Sequence, residues 1–141
     1  MGVAGSGKST IGKQLAARTD WPFHDGDDFH SKENVEKMRQ GIPLDDRDRA
    51  PWLLAIRAKI ETYLESDQNA VFACSALKQS YREVLQREDK RVRFVYLKGK
   101  PEDIAPRMAK RKNHFMPAGL LQSQFDALEE PAEAVSTCSR L

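Results

Sequence analysis

Two rhythms of apolar residues alternate along the chain. Ala70-Val71-Phe72-Ala73-Cys74 and the stretch Val92 to Leu97 are continuous apolar runs of strand length, as in parallel strands covered on both faces. Between such runs, apolar residues recur at three- and four-residue steps, the spacing of a helix with one buried face. This spacing predicts a helix from Ser9 to Arg18 with Ile11 and Leu15 on one face. It predicts another from the N-cap Ser31 to Arg39, with Val35 and Met38 inward and Gly41 as its stop. After a loop from Ile42 to Arg47, a longer helix runs from Asp48 to Glu65 through Trp52, Ile56, Ile60, Tyr63 and Leu64. Further helices are expected around Tyr81 to Arg87, from Pro101 to about Arg111, and from Ala118 to Leu128 with Leu121, Phe125 and Leu128 on one face. Trp21-Pro22-Phe23 reads as a short strand ending at His24. The alternation implies βαβ units with right-handed crossovers and a three-layer α/β domain, in which ligands sit at the carboxyl ends of the strands.

Length and composition narrow this picture. With 141 residues and 40% hydrophobic content the chain can bury one core, read here as a single domain over 1–131 followed by a polar tail over 132–141. A formal charge of +2 is too small to argue for a nucleic-acid or membrane-surface partner. No apolar run reaches spanning length and no signal-peptide pattern is present, which makes a cytoplasmic protein the expectation. Cys74 and Cys138 read as free thiols.

The most specific chemistry lies at the start. Gly2-Val3-Ala4-Gly5-Ser6-Gly7-Lys8-Ser9-Thr10 has the form G-x-x-x-x-G-K-[ST], a phosphate-binding loop opening a helix. The glycines let successive N–H groups turn inward around phosphate oxygens. Lys8 is placed to reach the β and γ phosphates of a nucleotide, Ser9 to supply a hydroxyl to Mg²⁺, and the helix start to point its dipole at the anion. Such a loop is normally fed by an apolar strand, central to its sheet, yet only Met1 precedes Gly2. The expectation is therefore a shortened chain with two neighbouring strands left unpaired.

Asp25-Gly26-Asp27 follows the second predicted strand and falls on the same edge as the loop. A carboxylate there can hold Mg²⁺ or accept the proton of an attacking hydroxyl, and two carboxylates can share those tasks. His24 and His30 flank the turn without zinc-like spacing. Arg107-Met108-Ala109-Lys110-Arg111-Lys112-Asn113-His114-Phe115 fits a basic lid over about 107–117, with Arg107 and Arg111 four apart on one helix face. The strand ending at Cys74-Ser75 carries no Walker B aspartate, and no guanine signature occurs, which speaks against motor ATPases and GTPases.

The order and spacing of further pieces carry a resemblance. After the loop come Asp25-Gly26-Asp27-Asp28-Phe29-His30, then Glu36-Lys37-Met38, Gly41-Ile42-Pro43-Leu44-Asp45-Asp46, Asp48-Arg49 and Pro51-Trp52-Leu53. Cys74-Ser75-Ala76-Leu77-Lys78, Tyr81-Arg82, Tyr96-Leu97-Lys98-Gly99, His114-Phe115-Met116, Gln124-Phe125 and Leu128-Glu129 follow. From Gly2 to about Pro131 the chain closely resembles the gluconokinase family. The resemblance implies an adenylate-kinase-like P-loop fold with a small lid, ATP as co-substrate, Mg²⁺, and phosphorylation of D-gluconate to 6-phosphogluconate. It assigns Gly2 to Thr10 to the phosphates, Lys8 to the transferring charge, and Ser9 and Asp25 to the metal. Asp27 becomes the candidate for orienting or deprotonating the terminal hydroxyl, and Arg107 and Arg111 become lid arginines. Arg49, Lys78, Arg82 and His30 are the choices for the carboxylate end of the substrate. Proteins of this family are often dimers, so a homodimer is compatible with the resemblance.

Neighbouring families share parts of the pattern. Adenylylsulfate kinases also resemble a phosphate loop followed by Asp-Gly-Asp, but are not expected to continue with Glu-Lys-Met and Pro-Trp-Leu. Shikimate kinases resemble the chain in their paired aspartates, yet no Gly-Gly occurs in this sequence. Kinases of another small hydroxylated metabolite, or a non-catalytic gluconokinase fragment, are the alternatives. The fragment reading rests on the absent first strand and on the short polar segment Ala132 to Leu141 where the family pattern would continue.

Overall fold

The computed structural model describes residues 1–109, 120–132 and 134–138. Its elements, in chain order, are α1 (Lys8–Thr19), β1 (Phe23–Asp25), a 3-10 turn (Gly26–Phe29), α2 (Lys32–Arg39) and α3 (Asp46–Glu65). They continue with β2 (Val71–Ala73), α4 (Gln79–Gln86), β3 (Val95–Lys98), α5 (Pro101–Ala109), α6 (Leu121–Ala127) and β4 (Val135–Cys138). The strands form two parallel pairs, β1 with β2 and β3 with β4. Strand and helix alternate as the apolar pattern predicts.

Between the two pairs lies a two-residue stub. The Met1 amine donates to the Val95 carbonyl at 2.5 Å, and the Leu97 N–H donates to the Met1 carbonyl at 2.9 Å. One residue bonding to both neighbours of its opposite number, here Tyr96, is the signature of parallel pairing. On the other side the Gly2 N–H donates to the Ser75 carbonyl at 3.1 Å, just past β2. Met1 and Gly2 thus join the pairs at the edge that bears the phosphate loop, while among the described residues the rest of β2 and β3 is not paired with each other.

Several boundaries differ from the apolar pattern for identifiable reasons. β1 begins at Phe23, because Trp21 and Pro22 precede it and Pro22 contributes only a carbonyl, to the Val71 N–H. α3 starts two residues early, where Asp45 and Asp48 form a capping box. α1 buries Ala16 while Leu15 is 43% exposed, since the helix packs its small residues Gly12 and Ala16 inward, Gly12 against the Phe23 ring. In α2 the inward pair is Asn34 and Met38, with Val35 only half-buried. β3 begins at Val95 rather than Val92. The segment read as a polar tail instead contains β4, whose Val135 to Cys138 pair in register with Val95 to Lys98. Ser136 and Thr137 hide that strand from a hydrophobicity reading, although β-branched Val135 and Thr137 suit it.

Two apolar clusters flank the loop. One gathers Trp52, Leu53, Ile56 and Ile60 of α3 with Cys74, Tyr81 and Leu85. The other packs Val3 and Ala4 of the loop against Leu77, Ile104, Met108 and Leu121, so α5 and α6 support the loop from behind. Among the described residues no helix is long and apolar enough to cross a membrane.

Burial pushes the Met1 amine down from 8.0 to about 5, with Lys8 adding to the effect. An unfolded chain binds that proton up to pH 8.0 and the folded chain releases it near 5, so this group makes stability rise with pH between those values. Extending the chain upstream of Met1 by about five apolar residues, a typical strand length, replaces the amine with an amide and supplies partners for β2 and β3. The extended chain is expected to melt at higher temperature and to lose this part of the pH dependence. Superimposable melting curves for the two chains at every pH would contradict this account.

Candidate active site

The phosphate loop turns into α1 at Gly7, whose φ of +98° lies in the left-handed region that a β-carbon disfavours. No side-chain cap covers the start of α1, so the helix end faces the cleft that Ala4, Gly5, Lys8 and Ser9 line. Gly2, Val3 and Ser6 are buried beneath it and shape rather than line the cleft. The Lys8 ammonium donates to the Val3 carbonyl at 2.9 Å, within the loop's own curve. The Ala4 N–H donates to Gln124 Oε1 at 2.8 Å, which ties α6 to the loop.

Opposite the loop, the carboxyl end of β1 delivers the acidic turn. Asp25 is the N-cap of the 3-10 turn, its Oδ1 accepting from the Asp27 N–H at 3.0 Å. Its Oδ2 accepts from the Ser9 hydroxyl at 2.9 Å, so the two residues read as metal partners are in contact. Gly26 sits where a β-carbon would come within 2.8 Å of the Ala73 carbonyl, and this close approach brings the turn against the end of β2. Asp27 then lines the same cleft as Lys8 and Ser9.

The remaining wall comes from α2, α3 and the chain between them. Trp52 donates its indole N–H to the Gly26 carbonyl at 2.7 Å, and the His30 ring stacks on the indole at 4.3 Å and 10°. Burial and the Arg49 charge push His30 down to about 4, so the ring is neutral at physiological pH. Arg49, Met38, Pro43, Leu44, Leu120 and Ser123 complete the wall. Hard oxygen donors from Ser9 and Asp25 suit Mg²⁺, which binds through one or two protein ligands plus phosphates and water.

A phosphate loop and a pair of carboxylates in one cleft define a phosphoryl-transfer site, and comparison with known proteins narrows the family. A shikimate kinase family model matches residues 4–134. The thermosensitive gluconokinase of Escherichia coli K12 is 46% identical over 131 residues, 93% of this chain and 70% of that protein. The gluconokinase of Arabidopsis thaliana is 48% identical over 142 residues, covering 92% and 75%. The chain belongs to the gluconokinase family. A crystal structure of a gluconokinase from Sinorhizobium meliloti 1021 superimposes with a TM-score of 0.83 at 43% identity, covering all of this chain and 81% of that one. An unliganded sugar kinase from Janibacter sp. HTCC2649 gives 0.91 at 44% identity, covering 100% and 83%. The adenylate-kinase-like P-loop fold and the kinase assignment stand on these likenesses together with the shikimate kinase family model.

Within this gluconokinase-family cleft the sequence-derived residues separate. Lys8, Ser9, Asp25, Asp27, His30 and Arg49 are brought together. Lys78 is not in the cleft but in an adjoining hollow that shares Pro43, Leu44, Arg49 and Ser123 with it. There Lys78 and the Tyr81 hydroxyl both donate to Asp46 Oδ1, holding that carboxyl below its ordinary range. Arg82 is a correction. Its side chain is buried, and the guanidinium donates to the Ala76, Leu77 and Glu129 carbonyls at 2.7, 3.1 and 2.8 Å. It holds the backbone around Ala76, whose φ of +45° is unusual for a residue with a side chain, instead of meeting substrate. Arg107 lies on α5 outside the cleft lining, Thr10 is exposed on α1, and Arg111 falls outside the described residues.

Trp52, Asn34, Ser75 and Gln124 were not legible as site residues. Trp52 reads as one more core position of α3, and Asn34 interrupts the inward face of α2. Gln124 is the one polar residue among the inward positions of α6, which is the only signal it offers.

Replacing Arg82 with Met should remove these donors and lower stability by about 3 kcal/mol, the range for stranding several buried carbonyls. Chemical denaturation measures this, and the surviving folded enzyme should keep its KM for the sugar acid. A raised KM with unchanged stability would return Arg82 to the substrate site.

Proposed function

We propose that the chain phosphorylates the terminal hydroxyl of D-gluconate, using Mg²⁺-ATP and releasing 6-phosphogluconate and ADP. The observation that carries this reading is the meeting of Asp27 with Lys8 and Ser9 in one cleft, on a chain whose relatives are gluconokinases. The phosphate loop and the start of α1 bind the triphosphate, and Lys8 leaves the Val3 carbonyl to follow charge on the β and γ phosphates. Ser9 and Asp25 would hold Mg²⁺, which supplies neutralising charge to the phosphate oxygens. The substrate hydroxyl oxygen forms a bond to the γ phosphorus as the bond from that phosphorus to the β–γ bridging oxygen breaks. The hydroxyl proton passes to Asp27, and ADP leaves with the bonding pair.

Arg49 is the cation for the carboxylate end, because it borders both the cleft and the adjoining hollow. Lys78 acts there as well once Asp46 gives way. The basic stretch over about 107–117 is the lid in this reading, with Arg107 and Arg111 closing over the transferring phosphoryl group. The reaction is placed in the cytoplasm, where ATP is available.

The test is a coupled assay following 6-phosphogluconate from D-gluconate and Mg²⁺-ATP, with shikimate as a competing acceptor. Turnover with gluconate is expected, and turnover with shikimate alone would overturn the substrate. Asp27→Asn is expected to lower kcat by about 10²-fold or more while leaving ATP affinity nearly unchanged, the range for loss of a general base. Near-normal kcat in that variant would remove Asp27 from the chemistry. Lys8→Ala is expected to cripple kcat, because its charge acts chiefly on the transition state.

A further inference from the structure

Asn34 lies buried on α2, behind the cleft wall. Its side-chain nitrogen donates to the Asp48 backbone carbonyl at 2.8 Å and stands 3.3 Å from His30 Nδ1. A carbonyl can only accept, so the group facing Asp48 is the amide NH₂. Turning the amide over would set two lone-pair oxygens against each other. The same NH₂ therefore presents its other hydrogen to His30, and Nδ1 is the accepting, unprotonated nitrogen. A neutral imidazole carries one hydrogen, so in His30 that hydrogen is on Nε2. Stacking on Trp52, itself held by the Gly26 carbonyl, fixes the plane of the ring.

On the gluconate-kinase reading above, this geometry assigns a role to a residue outside the cleft. We infer that Asn34 is a positioning residue for the sugar acid: by occupying His30 Nδ1 it makes the ring a fixed Nε2–H donor to a substrate hydroxyl oxygen and bars it from taking a proton. The division of labour with Asp27 follows. Asp27 accepts the proton of the attacking hydroxyl, while His30 offers a hydrogen bond to an oxygen lone pair and cannot compete as a base. A polyol with alternating donors and acceptors fits such a pair, whereas an analogue lacking the matching hydroxyl leaves the Nε2–H without an acceptor.

The charged groups around the ring are consistent with a neutral imidazole. Asp27 is on its own turn and Arg49 approaches from α3, while Lys8 and Asp25 lie across the cleft. Asp48 meets Asn34 through its backbone carbonyl alone, since its carboxylate is engaged by Lys37 at 2.9 Å and by the Asp45 N–H at 3.1 Å. Arg49 and burial both hold the ring below its ordinary titration range.

The direct measurement is a long-range nitrogen–proton NMR spectrum of the imidazoles in the full chain without substrate, from about pH 5.5 to about pH 8. His30 is expected to show the Nε2–H pattern throughout. An Nδ1–H pattern, or free titration near about 6.5, overturns the inference. In Asn34→Asp the carboxylate accepts at Nδ1, so the ring is expected to become Nδ1–H or imidazolium. The gluconate KM should then rise about tenfold, the worth of one good hydrogen bond, and vary with pH, while the ATP KM holds within about twofold.

His30→Gln and His30→Leu keep the proposal falsifiable should Asn34→Asp fold poorly. Gln retains an N–H donor and is expected to recover kcat/KM to within about fivefold of the wild type, with Leu about tenfold lower still. Equal losses in the two variants overturn the donor role. Because the NMR pattern is read without substrate, a chain that shows it but does not phosphorylate gluconate refutes the reaction while supporting the Asn34 contact.

Discussion

Three backbone hydrogen bonds made by Met1 and Gly2 hold the halves of this molecule in register. The bonds to Val95 and Leu97 fix the start of the phosphate loop on β3, and the bond to Ser75 fixes it beside the end of β2. Both pairs of parallel strands then present their carboxyl ends on the side where the loop turns. Asp25 arrives there because β1 is paired with β2 in register, Asp25 opposite Ala73. Each bond is an ordinary one, worth about 0.5–1.5 kcal/mol net, and the bond from Gly2 to Ser75 sets the loop beside the end of β2, the strand whose partner β1 carries Asp25 to Ser9.

The cleft is held together by backbone carbonyls as much as by side chains. Gly26 offers its carbonyl to Trp52, Asp48 offers one to Asn34, and Ala76, Leu77 and Glu129 offer theirs to Arg82. Glu129 also caps α4, its Oε1 accepting from the Gln79 N–H at 2.7 Å where Lys78 at the N-cap position makes no such bond. These contacts fix the loops between strands and helices, alongside the burial of Leu44, Ala76 and Leu77 from those loops. The rigid wall of Trp52 and His30 is one product of this arrangement.

The fold was legible wherever the apolar period was strong. α3 and α4 lie close to where their spacing puts them, and the phosphate loop with its acidic turn carries the core of the site without reference to any structure. The failures have physical causes. β4 is built from Val, Ser, Thr and Cys, so strand pairing rather than hydrophobicity defines it. α1 turns Gly12 and Ala16 inward, because small residues let a helix approach a strand more closely than Leu15 would. The arginines show the limit most clearly. Arg57 and Arg82 are buried and direct donors to backbone carbonyls, Arg57 also pairing with the Glu61 carboxylate, whereas Arg49 is half-buried and lines the cleft. Burial distinguishes these roles, and a one-letter sequence does not encode it.

Charge sets the remaining constraint on the site. Among the described residues, the charged side chains lining the cleft are Lys8 and Arg49 against Asp25 and Asp27, two cations and two carboxylates that cancel. ATP and a sugar acid together bring several negative charges, and a neutral cleft of low dielectric cannot hold them without further cations. Lys78 is adjacent and pairs with Asp46, which Tyr81 also binds, so it serves an incoming anion only when that exposed pair opens. On the proposed reaction the deficit must be met by Mg²⁺ at Ser9 and Asp25 and by the basic sequence Arg107, Lys110, Arg111 and Lys112. On that reading, cations contributed by the metal and by the basic sequence would strengthen anion binding as water leaves the site. Positive charge would then be greatest once water has been excluded, when it acts most strongly on the transferring phosphoryl group.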